Sequence, residues 1–279
     1  MKKNVAAVIV LLSLGGVASG QNRPAAGPLT TSASARASAE GARSPRAESA
    51  EGDRAKSKAT VDEVDRLLEL WDLAQGGSAL DSLSTRIVRG RIEMSDSPLT
   101  GTFENYLKKP RKSMIVANTP RGQVLEVRDG HRRWSQTPWA GAASAGYGDE
   151  SLGRAAAGQG GSKWKEYFSA ASIKGRGYVD GRETIVLAAT PHGRPPLLWH
   201  FDAGTGLLRK LELANPAAAE SGDVRLLGVY FDNYATVDGV KVPALFRQVF
   251  TQFTITFRVT EVKHNVPIDD ALFANPTGK

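Results

Sequence analysis

The side chains with the chemistry for catalysis are few and lie far apart in the sequence. No His-Glu-x-x-His or His-x-His pattern occurs among the four histidines, which are His131, His192, His200 and His264. A metal site needs three or four convergent ligands, so this spacing does not predict one. The segment His200-Phe201-Asp202 contains residue types of a hydrolase site, but no Gly-x-Ser-x-Gly motif accompanies it. We interpret it as a strand end that leads into a turn.

Three further patterns argue against other kinds of site. The Gly-rich segment Gly158–Gly161 is not followed by the Lys-Ser/Thr pair of a phosphate-binding loop. The paired carboxylates Asp149-Glu150 and Asp269-Asp270 fall in segments predicted to be exposed, and we interpret Asp269 as a helix or turn cap. The chain contains no cysteine, which excludes disulfides, thiol catalysis and thiolate metal sites. The sequence therefore predicts a protein that is not an enzyme and holds no metal and no cofactor.

The net charge does not indicate a polyanion partner. The whole chain carries a formal charge of +7, of which two charges lie in residues 1–20 and a net three in residues 21–59. A net charge of only +2 remains on residues 60–279. A nucleic-acid-binding protein needs a concentrated basic face, and none is visible in this part of the sequence. We expect no nucleic-acid partner.

The N-terminal residues have the pattern of an export signal. Residues 1–20 combine the basic start Met1-Lys2-Lys3, the apolar run Val5–Val17 and the small residues Ala18-Ser19-Gly20, as in a secretory signal peptide. An uncleaved anchor is the alternative, although the run is shorter than the roughly 20 residues of a membrane span. Residues 21–59 have almost no large apolar side chains and predict a disordered tether. Because no cysteine is present for lipid modification, we expect a soluble periplasmic protein.

An amphipathic helix is predicted directly after the tether. Thr60-Val61-Asp62-Glu63 has the pattern of a capping box, and Gly76-Gly77 marks the end of the helix. Apolar residues recur between them at helical spacing, at Val61, Val64, Leu67, Leu68 and Trp71. The opposite face is acidic rather than basic, which favours a helix that covers a sheet over one that binds a membrane surface. A second short helix is predicted for Ser78–Leu83.

The segment Tyr230–Val262 predicts a long antiparallel hairpin around which the fold is organised. Asp238-Gly239 readily adopts the positive φ values of a type I′ turn. Beyond this turn one parity is apolar, and it comprises Val249, Phe253, Ile255, Phe257 and Val259. The other parity is polar, and it comprises Gln248, Gln252, Thr254, Thr256 and Arg258. This period of two predicts one apolar face that another element must cover.

Extended runs and hairpin turns recur along residues 88–264 and predict about ten or eleven strands. Asp129-Gly130 and Asp180-Gly181 mark two more turns, and no strand–helix–strand alternation indicates a parallel sheet. The fold class is therefore mainly β (α+β): one large, strongly curved antiparallel sheet with two or three covering helices. One or two helical turns are predicted at Trp164–Ser169. Residues 138–162, rich in Gly, Ala and Ser, predict a mobile insertion or flap.

A sheet of this size curls, and its concave side becomes a core or a cavity. Bulky apolar side chains on the predicted strands and helices are the candidates to line that side. They are Trp71, Phe103, Trp134, Trp164, Phe168, Trp199, Phe201, Phe253, Ile255 and Phe257. For any single one of them, a place in a plain hydrophobic core is a more ordinary role than contact with a ligand.

The order of several short motifs resembles the LolA-like superfamily of periplasmic lipoprotein carriers, in particular its branch of outer-membrane lipoprotein-sorting proteins. The resemblance covers about residues 60–279. It rests on the helix that ends at Gly76-Gly77, Phe103–Lys109 with Pro110, Asp129-Gly130 before Trp134, Val179–Arg182, Phe201-Asp202 before Thr205–Leu208, Tyr234–Pro243 and Asn265–Pro276. The tether and the insertion are additions to the family pattern. No single position matches the arginine that locks the lid in the family.

The resemblance implies an unclosed antiparallel half-barrel with helices as a lid over a hydrophobic cavity for acyl chains. The implied function is a periplasmic carrier of lipid or lipoprotein acyl chains, acting as a monomer with only transient membrane contact. The alternative is an interaction or sensor module of the cell envelope that uses the same fold to bind a protein partner. A hydrolase built on His200 and Asp202 is a third and weaker hypothesis.

Overall fold

The structure is a computed structural model that describes residues 61–95, 100–130, 132–136, 164–166, 168–192, 196–213 and 226–274. The predicted signal peptide at 1–20, the tether at 21–59, Thr60 of the capping box and the insertion at 138–162 lie outside these residues. Those interpretations remain predictions.

Twelve strands of the described residues form a single antiparallel sheet. In chain order they are β1 (Thr85–Met94), β2 (Thr100–Lys108), β3 (Lys112–Thr119), β4 (Gly122–Asp129), β5 (Arg132–Gln136), β6 (Phe168–Val179), β7 (Arg182–Pro191), β8 (Leu197–Asp202), β9 (Leu208–Leu213), β10 (Leu226–Val237), β11 (Val240–Phe250) and β12 (Thr254–His264). Their spatial order is β5-β4-β3-β2-β1-β12-β11-β10-β9-β8-β7-β6. The sheet is not closed, because β5 and β6 are its two edges. The mainly β fold with an unclosed half-barrel is confirmed, with one or two strands more than expected.

The predicted Asp-Gly turns explain two of the hairpins. Asp238 and Gly239 have φ values of 49° and 78°, and Asp180 and Gly181 have 48° and 77°. Consecutive positive φ values are those of a type I′ turn, whose twist matches that of the flanking strands. Asp180-Gly181 joins β6 to β7, and Asp238-Gly239 joins β10 to β11. Both predicted turns are confirmed.

The predicted parity beyond Asp238-Gly239 is wrong for the first half of the run. Residues 251–253 turn the chain, with the amide of Phe250 donating to the carbonyl of Phe253 at 2.8 Å, so the run forms two strands instead of one. The turn changes the phase between β11 and β12. Gln248, predicted on the wet face, is fully buried, whereas Val249 is only half-buried. Phe253, Ile255 and Phe257 point inward as expected.

The helices follow the sequence pattern closely. Residues 61–75 are helical (α1), and a four-residue helix, α2 (Ser78–Asp81), follows the turn at Gly76-Gly77. No helix among the described residues has the length and apolar character needed to cross a bilayer. The helical turns expected at Trp164–Ser169 shrink to a 3-10 helix, Trp164–Glu166, because Phe168 already begins β6. A second 3-10 helix, Asp270–Phe273, begins where Asp269 accepts from the amide of Ala271 at 2.9 Å, so Asp269 is a cap as expected.

Apolar side chains lie on both faces of the sheet but in separate clusters. The largest cluster joins the apolar stripe of α1 to one face of the sheet, which we call the inner face; its sheet residues include Phe103, Trp199 and Phe257. A smaller cluster lies on the opposite, outer face, where Ile268 and Phe273 near the C-terminus cover strands β1–β5. A third small cluster lies under α2. The sheet is therefore covered on both faces at β1–β5.

Candidate ligand-binding site on the inner face

The structure brings nine of the ten predicted cavity residues together on the inner face. Eight of them are buried members of the largest cluster beside Trp71 of α1: Phe103, Trp164, Phe168, Trp199, Phe201, Phe253, Ile255 and Phe257. Trp134 is placed elsewhere, because it packs against the smaller cluster on the outer face. The buried apolar side chains of the inner face thus extend across the sheet from β4 to β6.

One group of aromatic rings fixes α1 to the sheet. The ring of Trp71 meets the ring of Trp199 edge-on, with centroids 5.5 Å apart, and lies 5.4 Å from that of Phe201. The ring of Phe168 meets that of Trp199 from another side at 5.7 Å. Edge-to-face and tilted contacts at these distances are favourable beyond the burial of area. Trp71 is therefore the main anchor of the helix, and it is only 2% exposed.

A second aromatic group lies at the centre of the sheet. The rings of Phe246 and Phe257 stack with centroids 4.5 Å apart, and the ring of Phe103 meets both edge-on at 5.8 Å and 5.4 Å. Gly90 makes this possible, because a Cβ at this position would lie 2.5 Å from the ring of Phe103 and 2.1 Å from the carbonyl oxygen of Arg258. The pairing of β1 with β12 shifts by one residue at the same place. Here the backbone itself makes room for the ring.

A row of cross-strand neighbours, most of them smaller than the aromatic residues, connects the two aromatic groups. Strand register places Gln248 beside Val229, Val229 beside Leu211, and Leu211 beside Trp199. On the other side Gln248 pairs with Ile255. All five residues are at most 2% exposed. Gln248 is the one residue of this row with a polar amide, and neither its oxygen nor its nitrogen has a hydrogen-bond partner among the residues that the structure describes.

Beyond its apolar stripe, α1 has few further attachments among the described residues. Asp65 accepts a hydrogen bond from the indole Nε1 of Trp164. Near the other end of α1, Ala74 lies against Gly206 in the turn between β8 and β9. On the side away from the sheet, Leu70 and Leu73 are 49% and 69% exposed. The helix thus buries one face and presents two leucines on the other.

The residue types of a hydrolase are used differently by the structure. The Asp202 carboxylate accepts from the amides of Gly204 and Thr205 at 3.1 Å and 2.8 Å, which stabilises the turn that follows β8. His200 lies on the outer face 3.2 Å from Glu212, and burial lowers its pKa. Within the described part of the chain, no group of three or more His, Cys, Asp or Glu side chains is arranged to hold a metal ion.

The predicted candidates do not include the inner-face residues of β10 and β11. Phe231, Phe246, Gln248 and Phe250 all belong to the interior. The signal was present, because Phe246, Gln248 and Phe250 share one parity and only Gln248 is polar. Interpretation of the run through residue 262 as a single strand hides this parity, because it assigns the even-numbered positions to the polar face.

Comparison with known proteins identifies the fold. No family model and no curated protein matches the sequence. A DUF1329 family protein from Desulfovibrio piger matches with a TM-score of 0.53 and 14% identity, covering 79% of this chain and 99% of that one. The fold is shared. At this identity the likeness is to the fold alone.

Two further matches are lower in TM-score. A LolA superfamily protein from Nitrosomonas europaea has a TM-score of 0.47 and 12% identity, covering 76% of this chain and 97% of that one. A putative outer membrane lipoprotein-sorting protein domain from Vibrio parahaemolyticus has a TM-score of 0.46 and 11% identity, covering 74% and 95%.

Proposed function

We propose that this protein is a periplasmic carrier that holds an acyl chain of a lipid or lipoprotein between α1 and the inner face. The observation that carries the proposal is the large apolar cluster that the structure places between an open sheet and the amphipathic helix α1. The residues proposed to contact the chain are those of the two aromatic groups and of the row between them. Trp134 is left out of this set, because it packs on the outer face.

Burial of an acyl chain in such an interior releases enough free energy for transport through water. Each methylene group removed from water contributes about 0.8 kcal/mol, so a long acyl chain gains on the order of 10 kcal/mol before costs are subtracted. Moving α1 and separating the aromatic rings costs part of this gain. The net binding free energy is the remainder after this cost. An acceptor that binds the acyl chain more favourably than this remainder can take it from the carrier.

Entry of a chain requires movement of α1 in this proposal. Trp71, Trp199 and Phe201 are at most 2% exposed and in mutual contact, so their rings occupy the interior of the described conformation. A chain would take the place of the Trp71 ring as the helix moves outward. The apolar stripe of α1 would then contact the ligand in place of the sheet.

The same packing favours a second candidate function. An interior filled by its own aromatic side chains also suits an interaction module that never opens. The exposed Leu70 and Leu73 on α1 would then contribute to the surface for an envelope protein. This candidate differs from the carrier in one respect that can be measured, because it requires no bound lipid.

Native mass spectrometry of protein purified from the periplasm tests the proposal directly. We expect a bound mass that extracts as phospholipid, fatty acid or acylated peptide. An unliganded mass, together with no uptake of an added fluorescent fatty acid, would contradict the carrier function. Stoichiometric recovery of one envelope protein by the same sample would then support the interaction module.

A reversible cross-link tests the movement of α1. A Cβ at Gly206 would lie 3.3 Å from the Cβ of Ala74, slightly below the roughly 3.5–4.5 Å of disulfides. Gly206 has a φ of 72°, so a cysteine there strains the backbone of this turn. The chain has no other cysteine to interfere. We expect the double variant Ala74→Cys/Gly206→Cys to take up fluorescent fatty acid when its disulfide is reduced. Uptake should be lost when the disulfide is oxidised. Each single variant is the control, and equal uptake in both redox states would contradict a moving helix.

A further inference from the structure

Two buried amides on the inner face, those of Gln248 and Asn105, have polar atoms without a hydrogen-bond partner among the described residues, which an apolar ligand does not explain. At Gln248 both the oxygen and the nitrogen lack a partner. The residue is 0% exposed and lies two residues before the end of β11, the seventh strand of twelve across the sheet. Its neighbours along the strand on the same face are Phe246 and Phe250, and its cross-strand neighbours are Val229 and Ile255. An apolar side chain would suit this position better than an amide. The sequence nevertheless places a donor and an acceptor there.

Both polar atoms of this amide lack partners. Neither Oε1 nor Nε2 of Gln248 has a hydrogen bond to any described residue. Buried polar groups are hydrogen-bonded in the great majority of native proteins, and an unpaired one is a position that needs a reason. An amide that lacks both partners among the described residues is available to a ligand.

The indole of Trp199 reinforces this interpretation. Trp199 lies in the same cross-strand row, three strands from Gln248, and its Nε1 also has no acceptor among the described residues. Strands lie about 4.8 Å apart, so roughly 14 Å of sheet separates the two backbones. The aliphatic residues Val229 and Leu211 fill the row between them. The row is therefore apolar along its length, with an unpaired polar group at each of these two positions.

From these observations we infer that the ligand of the inner face carries a neutral head group that both donates and accepts a hydrogen bond, and that this group pairs with Gln248. An amide fits this description, and so does a protonated carboxylic acid. Such a group would accept from Nε2 and donate to Oε1. An ester offers only an acceptor, and would leave Oε1 unpaired. The inference rests on the proposed function and narrows its ligand from any acyl chain to one with this kind of head group.

Two ligands of equal chain length separate this inference from simple acyl binding. Dodecanamide and methyl dodecanoate are both neutral, but only the amide can donate. Their Kd values are measured with the full chain by displacement of a fluorescent fatty acid. The quantity of interest is the ratio of the two Kd values in each variant, because differences in ligand solubility cancel between variants.

The variants are Gln248→Met and Gln248→Leu, which keep the size of the side chain and remove its polar atoms. We expect either change to reduce the preference for dodecanamide by about tenfold, the usual consequence of losing a buried hydrogen bond. Dodecanoic acid below its pKa is expected to follow the amide. An unchanged ratio in both variants would overturn the inference.

Thr184→Val is the matched control. Thr184 is also 0% exposed, and its hydroxyl has no partner among the described residues, but it lies beside His200 on the outer face. Its replacement removes a buried polar group without touching the inner face. We expect the ratio of Kd values to stay at the wild-type value. A loss of preference equal to that of Gln248→Met would overturn the inference.

The stability of the ligand-free protein gives a second, independent readout. If the amide of Gln248 has no hydrogen-bond partner within the protein, Gln248→Met removes an unpaired amide and raises the melting temperature or leaves it unchanged. If the amide is satisfied inside the protein, the same variant lowers the melting temperature and overturns the inference. Failure of the wild-type chain to bind the fluorescent fatty acid at all would instead contradict the proposed function. The two failures are therefore distinguishable.

Discussion

An ion-pair network on the outer face differs from the surroundings of Gln248 on the inner face. On the outer face Arg89 bridges two neighbouring strands, contacting Glu104 at 2.7 Å and Glu261 at 2.6 Å, and the hydroxyl of Tyr106 donates to Glu104. On the inner face neither the oxygen nor the nitrogen of the Gln248 amide has a hydrogen-bond partner among the described residues. Charged groups on the outer face satisfy one another next to water. In our inference, a ligand supplies the partner that the described residues do not give to Gln248.

The largest expected effect comes from truncating an inner-face aromatic residue. Trp199→Ala removes contacts with Trp71, Phe168 and Phe201, and we expect a loss of about 3–5 kcal/mol in the free energy of unfolding. The control is Leu198→Ala, one residue away and half-buried on the other face, for which we expect about 1 kcal/mol. Urea denaturation measures both. Equal losses would contradict the view that one face carries most of the packing energy.

A smaller but still clear effect is expected at the glycine that admits the ring of Phe103. Gly90→Ala would place a methyl group against both the Arg258 carbonyl and this ring, and overpacking of this kind costs about 1–3 kcal/mol. Gly204→Ala is the control, because its Cβ would meet only the Asp202 carboxylate at an ordinary 3.5 Å. We expect a change within about 0.5 kcal/mol there. A Gly90→Ala protein as stable as the wild type would mean that the central aromatic group adapts freely.

The comparison of the two faces also explains which elements could be predicted from the sequence. The stripe of α1 has a strict helical period, and the Asp-Gly turns have a steric cause, so both were predicted correctly. The turn at residues 251–253 contains no Gly, Pro, Asn or Asp, so nothing local marks it. The turn is closed by its own backbone, through the hydrogen bond from the amide of Phe250 to the carbonyl of Phe253. That single omission moved Gln248 to the wrong face.

Trp134 lies apart from the other candidates for a similar reason. At β1–β5 both faces of the sheet are covered, as the neighbouring buried residues Met114 and Ile115 show. Alternation cannot identify an inner face where both faces are apolar. The cover on the outer side comes from Ile268 and Phe273, more than 130 residues further along the chain than Trp134. Only the assembled structure tells the two faces apart at this end.

A moderate dependence of stability on pH is expected where β12 ends. Arg86 donates from Nε to Nε2 of His264 at 3.1 Å, and Asp238 contacts Nδ1 at 3.1 Å. Burial, and then the charge of Arg86, lowers the pKa of His264, while Asp238 acts in the opposite direction. Burial also lowers the pKa of Arg86, to about 10, so Arg86 stays charged. The folded state therefore favours neutral His264.

The sign of the effect follows from this lowered pKa. The stabilisation is fully present above the ordinary histidine pKa of about 6.5 and is lost as the pH falls through the lower pKa of the folded state. We expect His264→Gln to flatten the decline in unfolding free energy between about pH 7 and pH 5. His192→Gln, an exposed position, should leave the decline unchanged. The lowered pKa of His200 adds a decline of the same sign that persists in both variants.

The smallest effect is expected on the outer face itself, where exposure weakens every ion pair. Glu104→Gln removes a charge that contacts Arg89 at 2.7 Å, but the two side chains are 34% and 37% exposed. Such pairs contribute at most about 1 kcal/mol, and Arg89 keeps Glu261 as a second partner. We expect a loss below about 1 kcal/mol at low salt that shrinks further near 1 M salt, where screening acts over about 3 Å. A large, salt-independent loss would mean that the outer network determines strand register, and the contrast between the two faces would no longer hold.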